Sequence, residues 1–505
     1  MTLARTQWLY RAGALVWVSV FSGLLFTGCD TANQSSTTET RLQACEREPG
    51  DSPPAVSGAE CGRFSVPLDH ARADSEHIDI AVKRWPSISA VPEPDPIFII
   101  AGGPGQSAIE VSDTLVQAFF NLRKERDIVF VDQRGTGQSA PLYCLEEQPV
   151  SLAEPMLASH AKVLESLRQC ASEHASKAPF MTTPYAVADL EFVREALGYS
   201  RINLWAGSYG TRVALAYMGA HPSVIRSAVL DGLAPVSLAL PKTMGASANR
   251  ALAEVAQQCT SEPACASRYG DPADNARRVA ERLAQAPVRM TIDDPLTSEP
   301  REILLDAEKF ASLVRLTLYD RILSRLLPHL LARAEAGDFS LLASAVSQFM
   351  AADNQPRIAM GMHFSVICSE DMRAAPALEP ASFLGVDLAD TMIQVCEFWP
   401  SGELPDHYFT PVAADAPTLL LSGERDPVTP PEWGERVAEH LSQATHLVAS
   451  GAHHGVTVQG CASKLLTEFV RHTTLEASQA ECIDTIIPMQ PYLQAQPAQS
   501  TEASE

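Results

Sequence analysis

The stretch Ile202-Asn203-Leu204-Trp205-Ala206-Gly207-Ser208-Tyr209-Gly210 constrains this chain more than any other. A mainly apolar run ends at a serine, with the small residues Ala206 and Gly210 two positions to either side. This reads as a strand, a sharp turn and the start of a helix, because strand and helix backbones approach too closely at such a turn for larger side chains. A serine hydroxyl is a weak nucleophile unless it is lifted clear of the backbone, offered a general base and backed by amide donors for a developing oxyanion. The turn meets the first need for Ser208.

Candidates for the other needs lie at the ends of further strand-like runs. After Pro417-Thr418-Leu419-Leu420-Leu421, Asp426 stands on a loop; after Thr445-His446-Leu447-Val448 comes Ser450-Gly451-Ala452-His453-His454-Gly455. Ser208, Asp426 and His454 follow the chain order nucleophile, acid, histidine, in which the acid orients an imidazole that shuttles the serine proton. His454 is chosen over His453 because Gly455 follows it and permits close backbone approach; His453 reads as a structural histidine. Thr429 suits either a bond to the acid loop or a local turn bond. Upstream, Asp95-Pro96-Ile97-Phe98-Ile99-Ile100 opens into Ala101-Gly102-Gly103-Pro104-Gly105-Gln106-Ser107. Its exposed amides make Gly103, with Tyr209, the candidate oxyanion hole; Gly102 competes with Gly103, and a plain Gly-Pro turn competes with both.

Asp127-Ile128-Val129-Phe130-Val131 leads into Asp132-Gln133-Arg134-Gly135-Thr136-Gly137-Gln138-Ser139-Ala140, superficially a dinucleotide-binding turn. Pro141 follows where a helix would have to run, so the segment reads instead as a tight turn braced by Asp132 and Arg134. From about Leu238 the pattern becomes helical, as with Val279, Leu283 and Ala286, or Phe310, Leu313, Val314 and Leu318. The expected fold is α/β: a mostly parallel sheet flanked by helices, with core segments 45–237 and 411–487, an inserted helical lid at 238–410 and a mobile tail at 488–505.

Several of these pieces together resemble the proline iminopeptidase-related α/β-hydrolase serine peptidases, specifically the secreted branch with a tripeptidyl-aminopeptidase-like C-terminal region. The matching segments are Cys61-Gly62-Arg63-Phe64-Ser65-Val66-Pro67-Leu68-Asp69-His70, Gly102-Gly103-Pro104-Gly105, Asp132-Gln133-Arg134-Gly135, the Ser208 turn, Val229-Leu230-Asp231-Gly232, Cys368-Ser369-Glu370-Asp371, Cys396-Glu397-Phe398-Trp399-Pro400 and the Asp426 and His454 loops. Ala101 and Ala206 depart from the family, which often has His and Gly there. The resemblance implies a serine exopeptidase that acts from a free peptide amino terminus without a cofactor. It also implies a carboxylate that binds the substrate amine, for which Glu370 is the candidate; a helix-end or salt-bridge role competes. An esterase, and a binding lipoprotein without turnover, are the rival readings.

Arg5 and Arg11 precede an apolar stretch, Ala12 to Phe26, that ends at Thr27-Gly28-Cys29. Residues 1–28 resemble a bacterial lipoprotein signal, with Cys29 carrying lipid and 29–44 forming a flexible tether, so a cell-envelope location and a membrane partner are expected. A conventional signal-peptidase site or an uncleaved anchor is the alternative. The other cysteines, Cys45, Cys61, Cys144, Cys170, Cys259, Cys265, Cys368, Cys396, Cys461 and Cys482, form five short loops if paired in sequence order, although spacing alone does not prove connectivity. No Cys-x-x-Cys or His-x-x-x-His spacing points to a metal. A net charge of −23 excludes nucleic acid as a natural partner.

Overall fold

Ile97–Ile100 and Ile128–Val131 are apolar at every position, a pattern suited to strands covered on both faces. In the computed structural model both are buried throughout, in the middle of a sheet with nine strands among the described residues, 42–46, 57–144, 160–293, 299–350, 357–375 and 377–494. The strands are β1 (Gln43–Ala44), β2 (Glu60–Pro67), β3 (His77–Trp85), β4 (Ile97–Ile100), β5 (Ile128–Val131), β6 (Ile202–Gly207), β7 (Ile225–Asp231), the hairpin β8 (Val288–Asp293) and β9 (Pro300–Leu305) outside this sheet, β10 (Thr418–Gly423) and β11 (Ala444–Ala449). Their order is β1-β2-β3-β5-β4-β6-β7-β10-β11, antiparallel from β1 to β5 and parallel thereafter.

Successive side chains serve opposite faces, as the two-residue strand period requires. Phe98, Ile100, Val129, Val131 and Leu204 pack on one side with Val213 and Tyr217 of α3 (Tyr209–Ala220). Ile97, Ile99, Ile128, Phe130 and Trp205 pack on the other with Leu465 and Phe469 of the C-terminal helix Ala462–His472. Before α3 come α1 (Ala108–Leu115) and α2 (Thr183–Ala196). Register pairs Ile100 with Ala206, Gly207 with Asp231, and Leu421 with Asp231, so the chain leaves β4, β6, β7 and β10 at one edge of the sheet. Ligand sites of parallel sheets lie along this carboxyl edge.

Between β7 and β10 the chain forms α4 (Leu240–Ser261), α5 (Pro272–Gln285), the β8–β9 hairpin, α6 (Ala307–Thr317) and α7 (Arg321–Glu335). Aspartates start three of these helices: Asp271, Asp306 and Asp320 each accept backbone N–H groups of the first turn, donors that have no partner within the helix. Val279, Leu283, Phe310, Leu313, Val314 and Leu318 close a core separate from those of the sheet, with Leu327 and Leu331. Ala286 stands past the end of α5 and is exposed, because the helix stops at Gln285.

Two expected segment boundaries move. Gln43 and Ala44, placed in the tether, pair with Cys61 and Glu60, where the Cys45–Cys61 disulfide holds the chain to the sheet edge. Residues 1–41, with Cys29, lie outside the described residues. The first residues of the expected mobile tail are bound to the inserted helices: Tyr492 N donates to Arg325 O at 2.9 Å, Gln494 N to the Tyr269 hydroxyl at 3.1 Å, and Gln258 Nε2 to Met489 O at 2.9 Å. Residues 495–505 are outside the described set. The remaining disulfides are Cys144–Cys170, Cys259–Cys265, Cys368–Cys396 and Cys461–Cys482. No helix among the described residues is long and apolar enough to cross a membrane.

Candidate active site

Ser208 sits between β6 and α3 with φ 54° and ψ −128°, a conformation that an L-residue holds only when its surroundings enforce it. Two constraints do so. The Ser208 amide donates to Asp231 O at 2.8 Å, and Gly210 lies so near β4 that a first side-chain carbon there would stand 2.5 Å from Ile100 O. Gly102 is equally confined, since a side chain would meet Ser208 Cβ at 2.8 Å. The Gly102 amide donates to Gln106 Oε1 at 3.2 Å, whereas that of Gly103 donates to no group among the described residues. Tyr209 opens α3, so its amide is one of the helix's unpaired donors.

His454 Nδ1 lies 2.7 Å from Asp426 Oδ2, and the ionised carboxylate can only accept, so Nδ1 carries the proton and Nε2 is left as a base. Asp426 is fully buried, and its second oxygen accepts the amides of Val428 at 2.8 Å and Thr429 at 2.9 Å. Burial works against its ionisation, yet the His454 charge and hydrogen bond with those two amides outweigh it and hold the carboxyl at about 2. Thr429 bonds the acid loop: its hydroxyl donates to Asp426 Oδ2 at 2.8 Å, and it also lies 3.2 Å from His454 Nδ1, a contact not expected from the sequence. Gly232, with φ 72°, leaves room for the imidazole, which a side chain would approach to 3.3 Å. His453 faces away, its Nδ1 2.7 Å from Leu318 O at the end of α6.

Ser208 and His454 open into one cavity of about 270 Å³, lined also by Gly102, Val111, Leu115, Trp205 and Val458. A family profile described as alpha/beta hydrolase fold matches residues 95–460, which span β4 to the loop after His454. The chain belongs to the α/β-hydrolase family. Serine protease Hip1 of Mycobacterium tuberculosis is 26% identical over 95% of this α/β-hydrolase and 100% of its own length. Tripeptidyl aminopeptidase of Streptomyces lividans is 30% identical over 34% of this chain and 35% of its own. A solved proline iminopeptidase of Mycobacterium smegmatis is 16% identical, with TM-score 0.42, over 81% of this chain and 98% of that one. With a serine at the strained turn and serine peptidases among its homologues, this α/β-hydrolase is a serine hydrolase.

Asp231, in the sequence only one residue of the Val229-Leu230-Asp231-Gly232 motif, holds two parts of the site together. Its carbonyl holds the Ser208 amide, and its buried carboxylate accepts Val456 N at 2.8 Å and Thr457 N at 2.7 Å. One residue thus ties the nucleophile turn to the histidine loop; its place at the end of β7, beside β6, was the available signal. Burial lowers the proton affinity of His454, but the Asp426 charge and hydrogen bond, joined by the Asp231 charge, raise its pKa above the ordinary 6.5. With the neutral imidazole acting as the base, as proposed below, kcat/KM is expected to fall on the acid side with a midpoint above 6.5. Asp231→Asn removes a charge that favours the imidazolium and should move that midpoint to lower pH; a pH–rate profile with an unmoved or raised midpoint would contradict this.

Glu370 does not stand open to substrate. It has no exposed surface, and its oxygens accept from Thr183 N at 2.7 Å, Thr183 Oγ1 at 2.9 Å, Arg212 Nη1 at 3.0 Å and the Tyr408 hydroxyl. With both oxygens engaged and no exposed surface, the carboxylate does not stand where a substrate ammonium reaches it, contrary to the expected amine-binding role. With Asp371, which takes both terminal nitrogens of Arg212 at 2.9 Å, it fastens α3 to the inserted segment instead. The Asp132 turn is likewise structural: Asp132 accepts Ser107 Oγ at 2.7 Å and Ile109 N at 2.9 Å, while Arg134 forks onto Asp189 at 2.6 and 2.7 Å.

Proposed function

We propose that this chain is an extracytoplasmic serine exopeptidase that hydrolyses peptides from a free amino terminus through an acyl-enzyme. The observation that carries the reading is the His454–Asp426 pair, whose histidine lines the same cavity as Ser208. Ser208 Oγ attacks the carbonyl as His454 Nε2 takes its proton, the Gly103 and Tyr209 amides hold the oxyanion, and His454 returns the proton to the leaving amine. Water, activated by the same histidine, then releases the acyl group. Asp426 keeps the imidazole in the required tautomer, and no cofactor enters the scheme. Five disulfides favour an oxidising compartment, consistent with attachment of lipid at Cys29 and a cell-envelope location.

One observation favours esterase activity as a second reading. Among the described residues lining the cavity the acid is Asp231, both of whose oxygens are engaged by amides, so no carboxylate there is free for a substrate amine. A fluorogenic panel of mono-, di- and tripeptide amides, each with a free or acetylated amino terminus, separates the two. Turnover confined to free-amine members and lost in Ser208→Ala is the expected result. Ser208-dependent cleavage of short esters with no amide turnover would replace the peptidase by an esterase.

A further inference from the structure

We propose that the active site binds a substrate carboxylate on the side formed by the inserted helices, with Arg315 of α6 as its ligand. In this acidic chain the well-buried guanidiniums of the sheet domain are matched by acids: Arg126 by Asp95, Arg134 by Asp189, and Arg212 by Glu370 and Asp371. Where the inserted helices meet the acid loop this pairing stops. Arg250 reaches only the carbonyls of Glu424 and Asp426, Arg425 only Gln258 Oε1, and Arg315 only the Tyr319 hydroxyl at 2.6 Å; none forms an ion pair among the described residues.

Arg425 also makes a single side-chain bond and Arg250 shares a buried, unsatisfied Nε, so it is position that singles out Arg315, beside the Tyr319 ring that packs on His454. The Arg315 Nε is buried without an acceptor and its Nη1 makes no hydrogen bond, while the terminal nitrogens of Arg250 are both engaged. Arg315 is also one aromatic ring from the chemistry. Its guanidinium lies 5.1 Å from the centre of the Tyr319 ring, and that ring stands edge-on to the His454 imidazole at 5.7 Å. An unpaired cation so placed opposes the imidazolium that forms when His454 takes the serine proton, and so burdens the reaction it adjoins. A bound carboxylate removes that opposition, and the guanidinium fork suits a carboxylate better than any neutral group. The carboxylate can be an acidic side chain near the scissile bond or the terminal carboxylate of a short peptide.

This inference rests on the Ser208 site described above, and the test separates the two. Matched substrates are compared in the wild type, Arg315→Gln and Arg315→Lys: Glu against Gln beside the scissile bond, short peptides ending in carboxylate against carboxamide, and a p-nitrophenyl glutarate half-ester against the butyrate. The wild type is expected to favour the anionic member of at least one pair by about tenfold or more in kcat/KM. Arg315→Gln should bring that ratio to about one, and Arg315→Lys should retain part of it; thermal melts report whether each variant is folded. The peptide pairs tell side-chain from terminal carboxylate, and the esters read the preference even without peptidase activity. Equal turnover of both members of every pair, or a preference that survives in Arg315→Gln, overturns the carboxylate site while leaving the serine hydrolase in place. No Ser208-dependent turnover of any substrate overturns both.

Discussion

Asp426→Asn is expected to lower kcat by about four orders of magnitude at neutral pH with the fold intact. The amides of Val428 and Thr429 can still donate to the Asn oxygen, so the loop keeps its anchor. The amide nitrogen, however, would face His454 Nδ1 and donate to it, forcing the proton onto Nε2, where a base is required. The charge that supports the imidazolium is lost as well. Steady-state kinetics beside a thermal melt would test this: a loss below tenfold in a folded variant would mean that another acid, Asp231 foremost, supports His454.

The second large effect is on stability. Arg212→Met is expected to destabilise the protein by about 3–5 kcal/mol, because it leaves Glu370 and Asp371 side by side in a site closed to water without their shared cation. Burial already raises the Glu370 pKa even with Arg212 present, so the variant should take up protons there on folding. Replacing all three residues, Arg212→Met with Glu370→Gln and Asp371→Asn, should recover much of the loss, since no charge is then stranded. Urea unfolding with the disulfides intact gives both values. A loss under about 1 kcal/mol for Arg212→Met would show that water or a neighbouring cation reaches the carboxylates.

The central strands could be read from the chain because a strand buried on both faces must be apolar throughout, as β4 and β5 are. The turn at Ser208 was legible for a related reason: strand and helix backbones that nearly touch admit only small residues beside the nucleophile. Asp426 and His454 stood out as candidates because each lies on the loop after a strand-like run, and in the structure they pair with each other beside Ser208. Glu370 shows where such reading stops. An acid followed by another acid looks the same whether it faces substrate or is sealed by Arg212, Thr183 and Tyr408, residues 158, 187 and 38 positions away. The tether and tail were misplaced for the same reason, since a polar segment is held or free according to partners that local composition does not contain.

Local chemistry, set by neighbours along the chain, therefore determined the parallel core, the strained serine and the chain order of the candidate site residues. Only the tertiary structure decided which carboxylates are buried and engaged, that Asp231 joins two loops of the site, and that Arg315 forms no ion pair among the described residues where it packs on Tyr319. Those properties depend on which distant groups satisfy each charge once water is excluded, a balance settled only when the inserted helices close over the sheet.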